Sequence, residues 1–153
     1  MHLLESARGR IHSDRRYHFD ATRDSVWAAL SEVARYPTWL PWLQEFTGTE
    51  LIAGADWECE VHPPLPFSLR FTVTLTEVAA PSLVRASVAG DVCGVARLEL
   101  EDDPEGCSVR VVSEVAPSNT LLRALGFLGR PLARLGHDWV LDTGADQFSR
   151  RAL

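Results

Sequence analysis

The sequence predicts an α+β protein in which a curved seven-stranded antiparallel sheet wraps around one long C-terminal helix. Three observations predict it. From Thr47 to Ala116 apolar and polar residues alternate with period two between short turns. Before that stretch, and again after Pro117, the apolar spacing becomes three to four. A single helix cannot cover a flat sheet of that width, so the sheet has to curl around it.

Taken in order, RRYHFDA (Arg15 to Ala21) sets Tyr17 and Phe19 against His18 and Asp20, the pattern of a short first strand. Thr22 or Asp24 can cap a helix whose stripe carries Val26, Trp27, Leu30 and Val33, and Pro37 stops or kinks it. A second short helix is predicted through Trp39, Trp42, Leu43 and Phe46. Six strands follow near 48–52, 56–62, 67–78, 83–90, 92–101 and 107–116, joined by turns short enough for an antiparallel meander. Ser118 or Asn119 can cap the apolar segment LLRALGFLG, and Pro131 suits the first turn of a final helix reaching about Ser149. This order of one strand, two helices, six strands and one long helix is that of a helix-grip fold.

With 153 residues the chain is expected to form one domain over 1–153, with an ordered core at about 15–149. The composition, 46 % hydrophobic and 24 % charged, is that of an ordinary globular protein. MHLLESARGR does not read as a signal peptide, and no apolar run is long enough to span a membrane. Cys59, Cys93 and Cys107 form no CxxC pair, which argues against a disulfide framework or thiolate zinc site and for reduced thiols in the cytoplasm. The net charge of −6 argues against nucleic acid as a partner. All 15 basic residues are arginine. Without lysine the chain has neither a Schiff-base amine nor a P-loop. GxSxG, HExxH and GxGxxG are missing as well, and no cofactor or metal is expected.

Period two sorts the strands into faces. Tyr17 and Phe19, then Trp57, Cys59 and Val61, then Phe67, Leu69, Phe71, Val73 and Leu75 form the start of the helix-facing set. Val84, Ala86 and Val88, then Ala96, Leu98 and Leu100, then Val109, Val111, Ser113 and Val115 complete it. Arg70, Arg85, Arg97 and Arg110 fall with the glutamates on the outer face, so no arginine, aspartate or glutamate is expected inside. On the final helix, steps of about 100° per residue place Leu132, Gly136, Trp139, Val140, Thr143 and Gln147 toward the sheet. Arg134, Asp138, Asp142, Ala145 and Ser149 fall on the other side, with His137 at the edge of the stripe. Gly136 costs helix stability, which makes sense where a ligand occupies its side-chain volume; close helix–sheet packing is the alternative.

Other stretches invite sharper readings that the pattern does not favour. WECEVH offers Glu58, Glu60 and His62 to a metal, but three alternate strand residues span too far for one ion. His137-Asp138 resembles a catalytic dyad, but neighbours on a helix do not face each other. Pro63-Pro64-Leu65-Pro66 needs no proline-binding partner if it is a stiff connection. The segment 121–135 packs as core or opens as a lid touching a membrane during ligand transfer. In YPTWLPW (Tyr36 to Trp42), the tryptophans are core filler or the wall of a site.

FDATRDSVWAALSEVARYPTWLPWL resembles the opening of the START-like polyketide cyclase/dehydrase superfamily, with its Ala-x-x-x-x-Val-Trp helix and Tyr-Pro-x-Trp. GHDWVLDTGADQF resembles the last helix of small bacterial members, and the likeness covers about 15–149. It implies a deep cavity between sheet and final helix, used across the superfamily by lipid carriers, hormone receptors and some aromatase/cyclases. It also implies that Trp39 lies over the cavity mouth, with Trp42 packing beneath. The expected function is therefore binding, as carrier or sensor, of a small hydrophobic ligand such as a lipid or polyketide-like molecule. The expected ligand-binding residues are Tyr17, Trp39, Trp57, Cys59, Phe71, Val88, Ser113, Gly136, Val140 and Thr143, with no catalytic residue assigned. A polyketide aromatase/cyclase acting in the same cavity, or a protein-interaction module, are the competing readings.

Overall fold

The computed structural model describes residues 10–63, 68–118, 134 and 136–153. Strand β1 (Ile11–Phe19) leads into helix α1 (Arg23–Ser31), a 3-10 turn (Val33–Arg35) and the one-turn helix α2 (Tyr36–Trp39). Strands β2 (Leu43–Phe46), β3 (Asp56–Val61), β4 (Leu69–Ala79), β5 (Leu83–Gly90), β6 (Val92–Asp103) and β7 (Gly106–Pro117) follow. The final helix, α3, is described over 136–147 and widens into a π turn at Phe148–Ala152. The strands form one antiparallel sheet in the order β1-β7-β6-β5-β4-β3-β2, curled into a half-barrel around the helix. Segment α1–α2 thus carries the chain from one edge of the sheet to the other.

Local chemistry explains these boundaries. The hydroxyl of Thr22 caps α1 by accepting from the Ser25 amide at 3.2 Å. Pro37 sits in the first turn of α2, where its missing amide costs nothing. Gly106 holds the β6–β7 turn at φ 149°, and a Cβ there would collide with the Phe19 carbonyl.

Two sequence expectations need correction. The first strand starts at Ile11 rather than Arg15. Its early residues alternate too, but the concave positions carry Ser13 and Arg15, so apolar periodicity does not reveal them. The second concerns the region after α2. Residues 43–46 form a strand, not a helix, and 48–52 form none. A register shift between Leu43 and Glu45 puts Leu43 opposite Val61 and Phe46 opposite Cys59, both on the concave face. A bulge therefore reproduces the three-residue spacing of a helix inside a strand. Phe67, and the predicted lid at 121–135 apart from Arg134, lie outside the described residues.

The core gathers where α1, α2 and the C-terminal turn meet the sheet. Val26, Trp39, Leu40, Leu43, Cys59, Val61, Leu100, Cys107, Val109 and Phe148 are all buried there. Phe148 joins the helix end to this core through edge contacts with Phe19 and Trp39, each at 5.3 Å between ring centres.

Candidate ligand-binding site

Strand pairing puts Phe71 and Val73, Val88, Ala96, Leu98 and Val111 on the face turned toward α3. Each stays half-buried, although apolar neighbours flank it across the sheet. The opposite face of the same strands carries ion pairs. Arg70 lies 3.4 Å from Glu60, Arg85 3.1 Å from Glu77, and Arg110 2.6 Å from Asp14, all across strands. Arg97 pairs within its own strand, 2.8 Å from Glu99. The two faces thus differ sharply in chemistry, and the half-buried one is apolar.

The tryptophans of YPTWLPW divide between core and helix contact. Trp39 is 7 % exposed and lies edge-on to Tyr36 at 5.2 Å and to Phe148. Trp42 is half-buried, donates Nε1–H to Gln147 Oε1 at 2.9 Å, and meets the Trp139 ring at 5.8 Å. Trp57 packs on Tyr36 and Phe46 and donates to the Glu50 carbonyl at 3.2 Å. Cys59, beside it on β3, is buried, which pushes its thiol up to about 12 and keeps it an apolar wall group.

A polar cluster occupies the edge where β1 meets α3. Arg15 stands opposite Val111 on the concave side at the sheet edge, with its side chain 36 % exposed, so an arginine does share that side, contrary to expectation. Its Nη2 is 3.0 Å from Asp142 and 3.5 Å from Asp138. Tyr17 donates its hydroxyl to Asp142 at 2.7 Å; burial first, then this carboxylate, raises the phenol's pKa. Ser13 and Ser113 face each other across the β1–β7 pair, both 5 % exposed. Ser113 Oγ is 3.1 Å from His137 Nε2. His137 Nδ1 lies 3.7 Å from Asp138 Oδ1, beyond hydrogen-bond length. Burial lowers the His137 pKa, against the opposing pull of Asp138, so the imidazole is neutral at pH 7.

These contacts overturn the predicted orientation of α3. His137, Ala145 and Phe148 turn to the sheet, Asp138 and Asp142 to β1, and Gln147 and Gly144 to Trp42 and Leu40. The side turned to the sheet thus differs from the face that apolar count alone selects, although Gly136 and Gln147 remain turned inward. Trp139 stays at the flank, half-buried against the Trp42 ring. Gly136 is buried, while Val140 and Thr143 are half-buried. His137, expected at the stripe's edge, is one of the inward polar groups. Period two from Tyr17 back to Arg15 was the signal available for the missed arginine.

On the outer face, Glu60 pairs with Arg70 and lies 3.9 Å from His62. Among the described residues no three His, Cys, Asp or Glu side chains are grouped to hold a metal. Nor is any helix among them long and apolar enough to cross a membrane.

A family model described as polyketide cyclase / dehydrase and lipid transport matches residues 10–152. No curated protein matches the chain in sequence. Among solved structures, the di-domain ARO/CYC BexL from the BE-7585A biosynthetic pathway is similar at TM-score 0.74 and 12 % identity, covering 99 % of this chain and 53 % of that one. The di-domain ARO/CYC StfQ from the steffimycin biosynthetic pathway is similar at TM-score 0.64 and 12 % identity, covering 98 % and 54 %. This chain therefore spans about half of each di-domain protein. A Rhodobacter sphaeroides protein is similar over 93 % of this chain and 90 % of its own, at TM-score 0.64 and 20 % identity. At such identities the likeness is one of fold. The family match spans nearly the whole chain, and the chain belongs to the polyketide cyclase/dehydrase and lipid transport family.

Proposed function

We propose that this protein binds a small, largely apolar molecule between the concave face of the sheet and α3, as a carrier or sensor. The carrying observation is the set of half-buried apolar side chains, Phe71, Val73, Val88, Leu98 and Val111, on the face that turns toward the helix. A filled core would bury them, as it buries Val109 and Leu100 in the same sheet. In this reading Trp57, Cys59, Phe71 and Val88 form one wall, and Gly136, Val140 and Thr143 border the helix side. Trp39 lies under the floor, and Tyr17 and Ser113 supply polar contacts. The test is binding of a neutral solvatochromic dye, with native mass spectrometry of the purified protein for a co-purifying lipid or polyketide-like molecule. Saturable dye binding displaced by apolar compounds is expected. Absence of both dye binding and a co-purified molecule would overturn the reading.

One observation favours cyclase chemistry as a second reading. Arg15 and the neutral His137 put a cation and a base on the concave side, groups that a poly-β-ketone cyclisation needs to polarise carbonyls and move protons. Turnover of a model poly-ketone, lost in His137→Gln with dye binding retained, would establish it over simple carriage.

A further inference from the structure

Two nitrogen atoms in the β1–α3 cluster are buried without a hydrogen-bond partner: Arg15 Nε and His137 Nδ1. Such groups are costly, and their position draws attention because both residues flank one carboxylate, Asp138, at 3.5 Å and 3.7 Å. The network fixes what they offer. Arg15 Nε is always a donor. His137 Nε2 sits on the Ser113 hydroxyl and Nδ1 toward Asp138. A proton on Nδ1, with Ser113 donating to Nε2, suits both neighbours; the other tautomer would aim a lone pair at the carboxylate. The cluster therefore holds two buried N–H donors short of a hydrogen-bond partner, Arg15 Nε and His137 Nδ1 facing Asp138 at 3.7 Å, close to Val111 and Ser113.

We propose that this cluster is the polar end of the binding site and selects ligands with a neutral oxygen acceptor, a ketone, ester or alcohol, over ligands ending in a carboxylate. The inference rests on the concave face being a ligand site. Its own basis is charge. The Arg15 guanidinium already lies between two carboxylates, Asp138 and Asp142. Arg134 keeps its charge but is exposed to solvent, which screens it, and both its Nη atoms donate to the His12 carbonyl at 3.1 Å and 3.0 Å. The imidazole is uncharged at neutral pH because it is buried. An oxygen accepting from either free N–H would lie within a few ångströms of Asp138, where a second anion is repelled and a neutral oxygen is not.

The test is displacement of the neutral dye at pH 8 by a matched ten-carbon series of decane, decan-1-ol, decan-2-one and decanoate. Alcohol and ketone are expected to compete at concentrations about tenfold below decanoate, the scale of a hydrogen bond kept against one opposed by charge. Asp138→Asn, nearly the same shape, should strengthen decanoate about fivefold to tenfold and leave decane unchanged. Ser113→Ala combined with His137→Phe should bring the alcohol closer to decane. Equal competition by acid and alcohol, or an unchanged gap in Asp138→Asn, would overturn the proposal while leaving the site intact. If Asp138→Asn does not fold, the Ser113→Ala/His137→Phe variant decides, and an alcohol advantage over decane left undiminished there would overturn the proposal. A protein that binds no dye would sink the site, and this selectivity with it.

Discussion

Tyr17 on β1 donates its hydroxyl to Asp142 on α3 at 2.7 Å, tying the first strand of the chain to its last helix across 125 residues of sequence. Among the described residues β1 is an edge strand paired on one side only, to β7. The bond therefore anchors a sheet edge to the helix the sheet encloses. Because Asp142 is half-exposed, its worth is that of a solvent-screened contact. Tyr17→Phe should lower unfolding free energy by about 1 kcal/mol, measured by urea denaturation. In an Asp142→Ala background the same change should cost nothing further; an undiminished cost there would show that Tyr17 stabilises through ring packing instead.

His137 and His18 should respond to acid in opposite directions. Burial lowers the His137 pKa below the ordinary 6.5, so on acidification the unfolded chain takes up a proton before the folded one does. Its stabilising contribution is complete above about pH 6.5 and falls as pH drops below that. His18 bridges Asp103 at 3.0 Å and Asp20 at 3.3 Å. Partial desolvation opposes its protonation, but the two carboxylates together raise its pKa. Its contribution is present below about pH 6.5 and is lost as pH rises through the raised value. Melting temperatures from pH 5 to 8 should thus show a shallower acid loss in His137→Gln and a steeper one in His18→Gln. Parallel profiles for both variants and wild type would contradict the assigned environments.

How much of this was legible in the sequence differs between strand and helix. The concave assignment of Phe71, Val88, Leu98 and Val111 could be read directly, because period two is set by the pleat and each face carries one chemistry. The orientation of α3 could not, because a helix has a continuous choice of faces. Trp139 and Val140 argue for one rotation, whereas the contacts of His137 with Ser113, of Asp142 with Tyr17 and Arg15, and of Phe148 with Phe19 belong to another. These are tertiary contacts that helix periodicity does not encode. The bulge between Leu43 and Glu45 hid β2 for a similar reason, since a single irregular residue converts strand spacing into apparent helix spacing.

Two glycines should answer alanine substitution with opposite signs. A Cβ on Gly144 of α3 would stand 3.6 Å from Trp42 Cζ2 and 3.9 Å from Leu40 Cδ2, in ordinary contact. Gly144→Ala should therefore gain up to about 1 kcal/mol from helix propensity. A Cβ on Gly48 would land on the Phe46 ring and 2.9 Å from Val33 Cγ1. That ring is held by Tyr36 and Trp57, each 5.6 Å away, so it has little freedom to move. Gly48→Ala should cost about 1–3 kcal/mol. Thermal unfolding of the two single variants checks both signs.

The last prediction asks whether the concave face is open. Val88 on β5 and Val111 on β7, each in line across β6 with another valine (Val115 and Val84), are half-buried and turned toward α3. Enlarging a packed core strains it by about 1–3 kcal/mol, whereas adding apolar atoms to an unfilled space gains contact instead. Val111→Phe and Val88→Phe should leave the melting temperature unchanged or higher, and should weaken dye binding at least about tenfold by occupying the ligand's volume. Val109→Phe provides the contrast. Val109 is 4 % exposed, so that substitution should lower the melting temperature clearly. If all three substitutions destabilise alike, the half-buried row is packed rather than open, and the protein has no room there for the molecule it is proposed to hold.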